Sequence, residues 1–571
     1  MHKVGLMLLG IVLLGLTVSI AQPKPPVFTK ADTLRGMLTP ERTCYDLNYY
    51  HLDVKVDPSN QTIQGSNDIY FTTVNPFTRM QIDLFKNLDI ERIELDNGIK
   101  TSFSREANAV FVDLPNELKE GSFHHIKVYY GGKPTVAANP PWQGGLTWAK
   151  DSSGNPWVAV TCQGLGASVW WPNKDHQADE PDSMLLSVTV PKGLMDISNG
   201  RLRGTRELPG GWTRFDWFIS YPINNYNVTI NIGKFAHFSD VYGKSPTLTL
   251  DYYVLPQNLE RAKKQFEQVK PMMAAFEKYF GKYPFPKDGY KLIECPHTGM
   301  EHQSAVAYGN RYLGGYRGRA PSAAGLKFDF IIIHESAHEW WGNAVTSKDV
   351  ADMWIHESFG AYSEALYVEY LWGYREALTY INGKKPNVRN AEPMIGIYNV
   401  QHEGSGDMYD KGQLVLNTLR SVIDNDSLWF STLRGLYETF RYQTITADDV
   451  FGFINKKTGK DLGYFFNQYF KYAKIPQLEV NLRYKADTVM MSYRWNADVK
   501  EFQMPVRVTT APGKYEFIIP TTSWQQLKIG DIKPEDFKLE AERFYVDLRL
   551  GWSYVDPRLQ ENRGSGRSSW F

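Results

Sequence analysis

His334, Glu335, His338 and Glu357 have the types and spacing that do metal chemistry. In HESAHEWWGNAVTSKDVADMWIHES the two histidines are four apart, so on a helix they stand one above the other on one face. Imidazoles placed this way reach one zinc ion. Glu335 is rotated from them by roughly a quarter-turn or slightly more, beside the metal without being forced onto it. Catalytic zinc takes three protein ligands and keeps a position open. Glu357 is the candidate third ligand, because it opens a second amphipathic stretch after the break at 342–349 and a helical hairpin would swing it onto the first helix. The alternative is a surface helix that carries His-Glu-x-x-His by accident, and with Glu357 fixed that coincidence arises in roughly one chain in a thousand. Phe328, Phe330, Ile331, Ile332 and Ile333 predict a buried helix, and buried histidines need partners.

Amide hydrolysis at zinc needs four contributions. A metal lowers the pKa of water to roughly 7. A base takes the proton, worth roughly 10²–10⁴ in rate. A donor steadies the oxyanion, worth about 3–4 kcal/mol. Other groups choose the substrate. Spacing supplies the metal site and Glu335 as base. The 34 tyrosines leave the oxyanion donor open.

The elements that must position these residues are read from periodicity. Tyr50, Leu52, Val54 and Val56 alternate with polar neighbours, the signature of a half-buried strand. Similar runs recur to Val254, separated by Gly, Pro and Asn turns, which predicts an all-β domain over 41–250. Its long connection at 134–183 holds Trp148, Trp157, Trp170 and Trp171, and reads as a functional loop or a packed aromatic corner. From Leu259 the period turns helical, broken by Pro271, and helices dominate to Lys474. Lys411–Ile423 and Ala447–Asn455 are examples, the second with Thr446 as N-cap. This gives a catalytic domain over 251–475. Leu478, Val480, Leu482 and Tyr484 restart the alternation, predicting a β-sandwich over 476–556 and a flexible tail over 557–571.

At 571 residues the chain exceeds one hydrophobic core. Lys+Arg and Asp+Glu both number 63, so no global charge argues for nucleic acid. The basic start, the apolar run Val4–Ile20 and Ser19-Ile20-Ala21 predict a signal peptide over 1–21, export to the periplasm or medium, and no membrane anchoring after cleavage. Residues 22–40, with four prolines, read as a linker.

HExxHxWWGN followed by Glu357 resembles the zinc aminopeptidases of the aminopeptidase N and leukotriene hydrolase group, the gluzincins. The resemblance implies a multi-domain α+β fold: an N-terminal β-saddle, a thermolysin-like catalytic domain and a C-terminal β-sandwich. It also implies that His334, His338 and Glu357 bind one zinc ion and that Glu335 is the general base. Met408–Leu416 is similar to the family's Tyr-x-Lys-Gly segment, which makes Tyr409 the oxyanion donor. Thr298–Asn310 resembles its Gly-x-Met-Glu-Asn motif, which gives Glu301 the substrate amine and puts Gly299 and Met300 beside substrate, with Gly299 letting backbone approach it. His302 stands where the family has Asn, and Glu339 where it has Gln. Thr161–Pro181 is similar to a first-domain segment and brings Gln163 to Glu301. It also brings Cys162 near Cys295, as two buried free thiols rather than a disulfide. Glu364 and Asn343 match residues expected to support the ligands. The expected activity is removal of the first residue from peptides with a free amino terminus. An endopeptidase or epoxide hydrolase on the same framework, and a non-catalytic binding protein, are the alternatives.

Overall fold

The computed structural model describes residues 26–96, 98–244, 247–485, 488–554 and 569–570. The expected signal peptide lies outside them. Tyr45–Asp57 is the spine of the first domain, antiparallel to Thr62–Thr73 on one side and parallel to Ser183–Pro191 on the other. Leu52, Val54 and Val56 are fully buried and alternate with Asp53 and Lys55, as the period requires. These strands lie within an eight-stranded sheet. A second sheet has the order Met195–Ser198, Ile230–Gly233, Pro156–Thr161, Gly145–Lys150, and both sheets contribute to one apolar core.

The connection at 134–183 is therefore not a bare loop. Its central part is the hairpin of Gly145–Lys150 and Pro156–Thr161, in register from Pro156 with Lys150 to Thr161 with Gly145. Trp170 and Trp171 are fully buried, and Trp171 meets Tyr50 edge-on at 5.0 Å. The hairpin ends two residues before Gln163.

Within the expected linker, Lys30–Gly36 forms a helix closed by a capping box of Thr29 and Asp32. Arg35 reaches Asp175 at 3.2 Å, and a Cβ on Gly36 would lie 2.3 Å from the Val400 carbonyl carbon. The prolines flank this helix, and Thr-x-x-Asp starts it.

The first domain ends earlier than alternation suggests. Ala236–Tyr242 and Leu248–Val254 belong to a five-stranded sheet with Tyr290–Glu294, Val306–Tyr308 and the edge strand Gly299–Met300. Leu250 pairs in parallel with Tyr290, forty residues on, a partnership no local pattern reveals. The helix from Leu259 breaks at a 3-10 turn, Phe266–Gln268, just before Pro271 rather than at it. Proline lacks an N–H and crowds the carbonyl four residues back, so the strain falls on the preceding turn.

The HExxH helix, Phe330–Ala337, starts at Asp329, whose carboxylate accepts from the N–H groups of Ile331 and Ile332. The second ligand helix, Trp354–Trp372, is buried from Trp354 to Val368 on every side and so is not amphipathic. It packs on the HExxH helix and on Asp410–Ile423. Gly360 permits this approach, since a Cβ there would meet His338 Cε1 at 2.9 Å. Ala447–Thr458 is helical with Thr446 as its cap.

Beyond Gln477 a five-stranded sheet and a two-stranded ribbon form the C-terminal β region. Its buried residues are continuous with the helical core, so the described residues have two apolar cores rather than three. Within the expected tail, Ser569 and Trp570 pair with Trp552 and Gly551. The rest of 557–571 lies outside the described residues.

Candidate metal centre and active site

His334 Nε2 and His338 Nε2 face each other at 3.3 Å, and each lies 3.5 Å from Glu357 Oε2. Behind them, His334 Nδ1 is 2.7 Å from Glu364 Oε1 and His338 Nδ1 is 2.9 Å from the Trp341 carbonyl. Both outer partners are acceptors only, so each Nδ1 carries the hydrogen and each Nε2 turns a lone pair inward. Glu357 Oε2 is buried without a hydrogen-bond donor. Three lone-pair atoms thus converge, an arrangement that repels unless a cation sits at the centre. The surroundings make the same demand: burial opposes charge on His334, but Glu357 and Glu364 overcome it and hold the ring well above its usual pKa. Burial also raises Glu357, yet His338 and His334 outweigh it and hold that carboxyl at about 2. The set fits a metal of the zinc type.

Glu364 holds more than His334. Its Oε2 accepts from Tyr380 at 2.6 Å and Lys384 at 2.5 Å. Lys384 is buried and also lies 3.4 Å from Asp410, next to Tyr409. The Tyr409 ring stacks near His334 at 6.0 Å, and Tyr409, Glu335 and the three metal-facing residues line one cavity of about 760 Å³. Burial pushes the Glu335 carboxyl up to about 8 against the pull of His334, with Glu301 and Glu357 adding to the rise.

Glu301 sits on the same cavity, its carboxylate within 4.8 Å of ligand atoms of Glu335 and His338. Gln163 donates to Glu301 Oε1 at 2.7 Å and approaches Glu357 Oε1 at 3.4 Å. Tyr226 donates to Glu301 Oε1 at 3.0 Å. Burial raises the Glu301 carboxyl.

Residues 264–469 match the model of the Peptidase family M1 domain. This segment is similar to M1 peptidase domains. "Probable aminopeptidase 2" of Sulfurisphaera tokodaii is 22% identical over 412 residues, 68% of this chain and 51% of that protein. Aminopeptidase N of Streptomyces lividans is 25% identical over 336 residues, 56% of this chain and 38% of that protein. The chain spans about half the length of the first of these curated relatives and less of the second. Among solved structures, an M1 zinc metallopeptidase from Deinococcus radiodurans superimposes with TM-score 0.64 at 18% identity, over 77% of this chain and 98% of that one. The fold is that of an M1 metallopeptidase, with β-rich regions on either side of the helical domain.

The matched segment contains His334, Glu335, His338, Glu357, Glu364, Glu301 and Tyr409. Gln163 and Tyr226 lie outside the matched segment and come from the N-terminal β domain. Tyr226 escapes a sequence reading because it sits 75 residues from Glu301 with no motif around it. Lys384 escapes for the same reason, since nothing in its own turn marks it. Asn343 does not support a histidine through its side chain: its amide donates to the Glu301 carbonyl at 2.8 Å and accepts from Asn227. Glu339 likewise turns from the metal and accepts from Tyr283 at 2.7 Å and from the Ser304 N–H at 2.8 Å. Gly299 lines the cavity, and a Cβ there would meet Ile331 Cγ2 at 2.7 Å and Glu335 Oε1 at 2.9 Å, so its lack of a side chain keeps the strand close to the HExxH helix. Met300 is buried and lines the cavity. His302 is fully buried outside the cavity lining, and burial drives its ring down to about 3, so it stays neutral. Cys162 and Cys295 are buried and free.

Proposed function

We propose that this chain is an exported zinc aminopeptidase that removes the first residue from peptides with a free amino terminus. The observation that carries the reading is Glu301: a buried carboxylate, braced by Gln163 and Tyr226, against a three-ligand metal site and inside the same cavity. A carboxylate so placed takes an ammonium group by a charge-assisted contact. That seats the amino end of a peptide one residue from the reacting carbonyl, so only one residue fits upstream. When zinc is held by His334, His338 and Glu357, it supplies the Lewis acid that activates water and polarises the carbonyl.

The residues of the chain divide the rest of the work. Glu335, whose raised pKa suits proton exchange near neutrality, takes the proton from the attacking water and returns it to the leaving amine. Tyr409 keeps its proton, because burial and the nearby Glu357 and Glu301 hold its pKa well above the usual value, and it donates to the oxyanion. Glu364 and Trp341 keep the two ligand rings oriented. The N-terminal basic and apolar run with Ser19-Ile20-Ala21 supports export. Among the described residues no helix is long and apolar enough to cross a membrane.

Paired fluorogenic peptides with free and acetylated amino termini test the reading. The free form is cleaved after its first residue, the blocked form is not, and a zinc chelator abolishes cleavage reversibly. Equal cleavage of both forms would remove Glu301 as the amine clamp.

A further inference from the structure

The cavity is electrically lopsided. Glu301, Glu335 and Glu357 gather around the metal-facing histidines. Two other cations line it, Lys384 and Arg319. Lys384 is committed to Glu364 and Asp410. The Arg319 side chain has no ion pair or hydrogen bond among the described residues and is exposed.

Arg319 is held on a built support. Tyr316 and Arg319 exchange backbone hydrogen bonds of 2.8 and 3.0 Å across a two-residue turn. Both central residues have positive φ, 50° at Arg317 and 81° at Gly318. Glycine adopts that backbone freely, but arginine pays for it, and such strain persists only where the surroundings impose it. Here Asn310 imposes it. Fully buried, it accepts from the Arg317 N–H at 2.8 Å and donates to the Gly315 carbonyl and Asp329 at 2.8 Å each. Arg317 is tied by its guanidinium to Thr298 Oγ1. The turn is therefore fixed before any substrate arrives.

Thr298 also sets direction and reach. It precedes the edge strand Gly299–Met300, and Glu301 follows that strand. The amine clamp and the arginine turn thus mark opposite ends of the strand. Thr298 and Glu301 are three residue steps apart, about 10 Å along an extended chain. A peptide lying along the strand with its ammonium at Glu301 reaches the turn at about its third residue.

We infer that Arg319 forms a carboxylate-binding end to this cavity, which selects short peptides by their free carboxyl terminus. The inference rests on the aminopeptidase reading and adds the substrate class: small zwitterionic peptides, with positive charge at the acidic end and negative charge at the cationic end. A carboxylate there comes either from the chain terminus or from an acidic side chain, and the structure favours the terminus because the spacing matches a tripeptide.

The test compares three substrates on the zinc-loaded full chain: Ala-Ala-Ala, Ala-Ala-Ala-amide and Ala-Ala-Glu-amide. A solvent-exposed charge contact of this kind makes kcat/KM for Ala-Ala-Ala about two- to fivefold above its amide. In Arg319→Gln the ratio collapses toward parity, and in Arg319→Glu it inverts. Added salt shrinks the parent's preference, because the contact is open to solvent. If the parent cleaves both alanine peptides at equal rates, the carboxylate site is wrong and the aminopeptidase reading stands. If it cleaves none of the three, the aminopeptidase reading itself fails. If Ala-Ala-Glu-amide matches Ala-Ala-Ala, assignment to the chain terminus is overturned.

Discussion

Lys384→Met weakens metal binding without touching a ligand. Lys384 donates to Glu364 Oε2 at 2.5 Å, and the other oxygen of Glu364 receives His334 Nδ1 at 2.7 Å. The side chains of Lys384 and Glu364 are 8% and 1% exposed, so solvent does little to screen them. Removing the ammonium leaves a buried carboxylate whose charge is balanced only through His334. That carboxyl moves toward its protonated form, a poorer acceptor for the imidazole hydrogen, and His334 becomes a poorer ligand. Partners behind a ligand change metal affinity by ten- to a hundredfold, about 1.4–2.7 kcal/mol. Glu364→Gln is expected to cost a similar amount. Because Lys384 acts through Glu364, the two losses are not additive, and the double variant binds zinc no more weakly than Glu364→Gln alone. Competition against a chromogenic chelator measures all four affinities as a double-mutant cycle. Full additivity, or unchanged affinity in Lys384→Met, would refute the relay.

Other perturbations follow from the same geometry. Glu335→Gln keeps zinc stoichiometry but loses roughly 10²–10⁴ in kcat, so near-normal turnover with metal bound would remove Glu335 as base. Gly360→Ala forces a methyl to within 2.9 Å of His338 Cε1, so zinc content falls along with activity, measured by metal analysis of the purified variant. Far from the site, burial pushes Asp196 up to about 8 from 3.8, and one of its oxygens has no donor. The folded state therefore holds a proton there that the unfolded chain releases at lower pH. Stability contributed by this group is intact below about pH 4 and is lost as pH rises toward 8, on the order of a few kcal/mol. Asp196→Asn flattens that slope in denaturant titrations at pH 5 and pH 8, and an unchanged slope would sink the assignment.

How much of this was legible beforehand depends on the range over which each residue acts. The four-residue spacing of His334 and His338 settled their shared face, because helical geometry is local. The apolar run before His334 announced burial, and Thr446 announced a helix start. The alternation in Tyr50–Val56 and Leu478–Tyr484 placed strands and their inward faces. Sequence resemblance carried the reading from there to Glu301, Gln163 and Tyr409, residues whose types alone are common.

What lay beyond local pattern came from contacts between distant segments. Leu248–Val254 alternates like its upstream neighbours, and only its pairing with Tyr290–Glu294 moves it into the catalytic sheet. The close approach of the HExxH helix to Gly299 is likewise invisible in the local sequence. Tyr226 and Lys384 carry no local signal, because their partners arrive from 75 and 20 residues away. The chain by itself determined which atoms were available to hold a cation and on which helices they would ride. Tertiary packing alone decided that the lone pairs converge, that Glu364 and Trp341 fix their direction, and that one cavity is lined by both Glu301 and Arg319. The physical reason is that ligand type and helical phase belong to a few consecutive residues, whereas convergence, burial and charge balance belong to surfaces assembled from the whole fold.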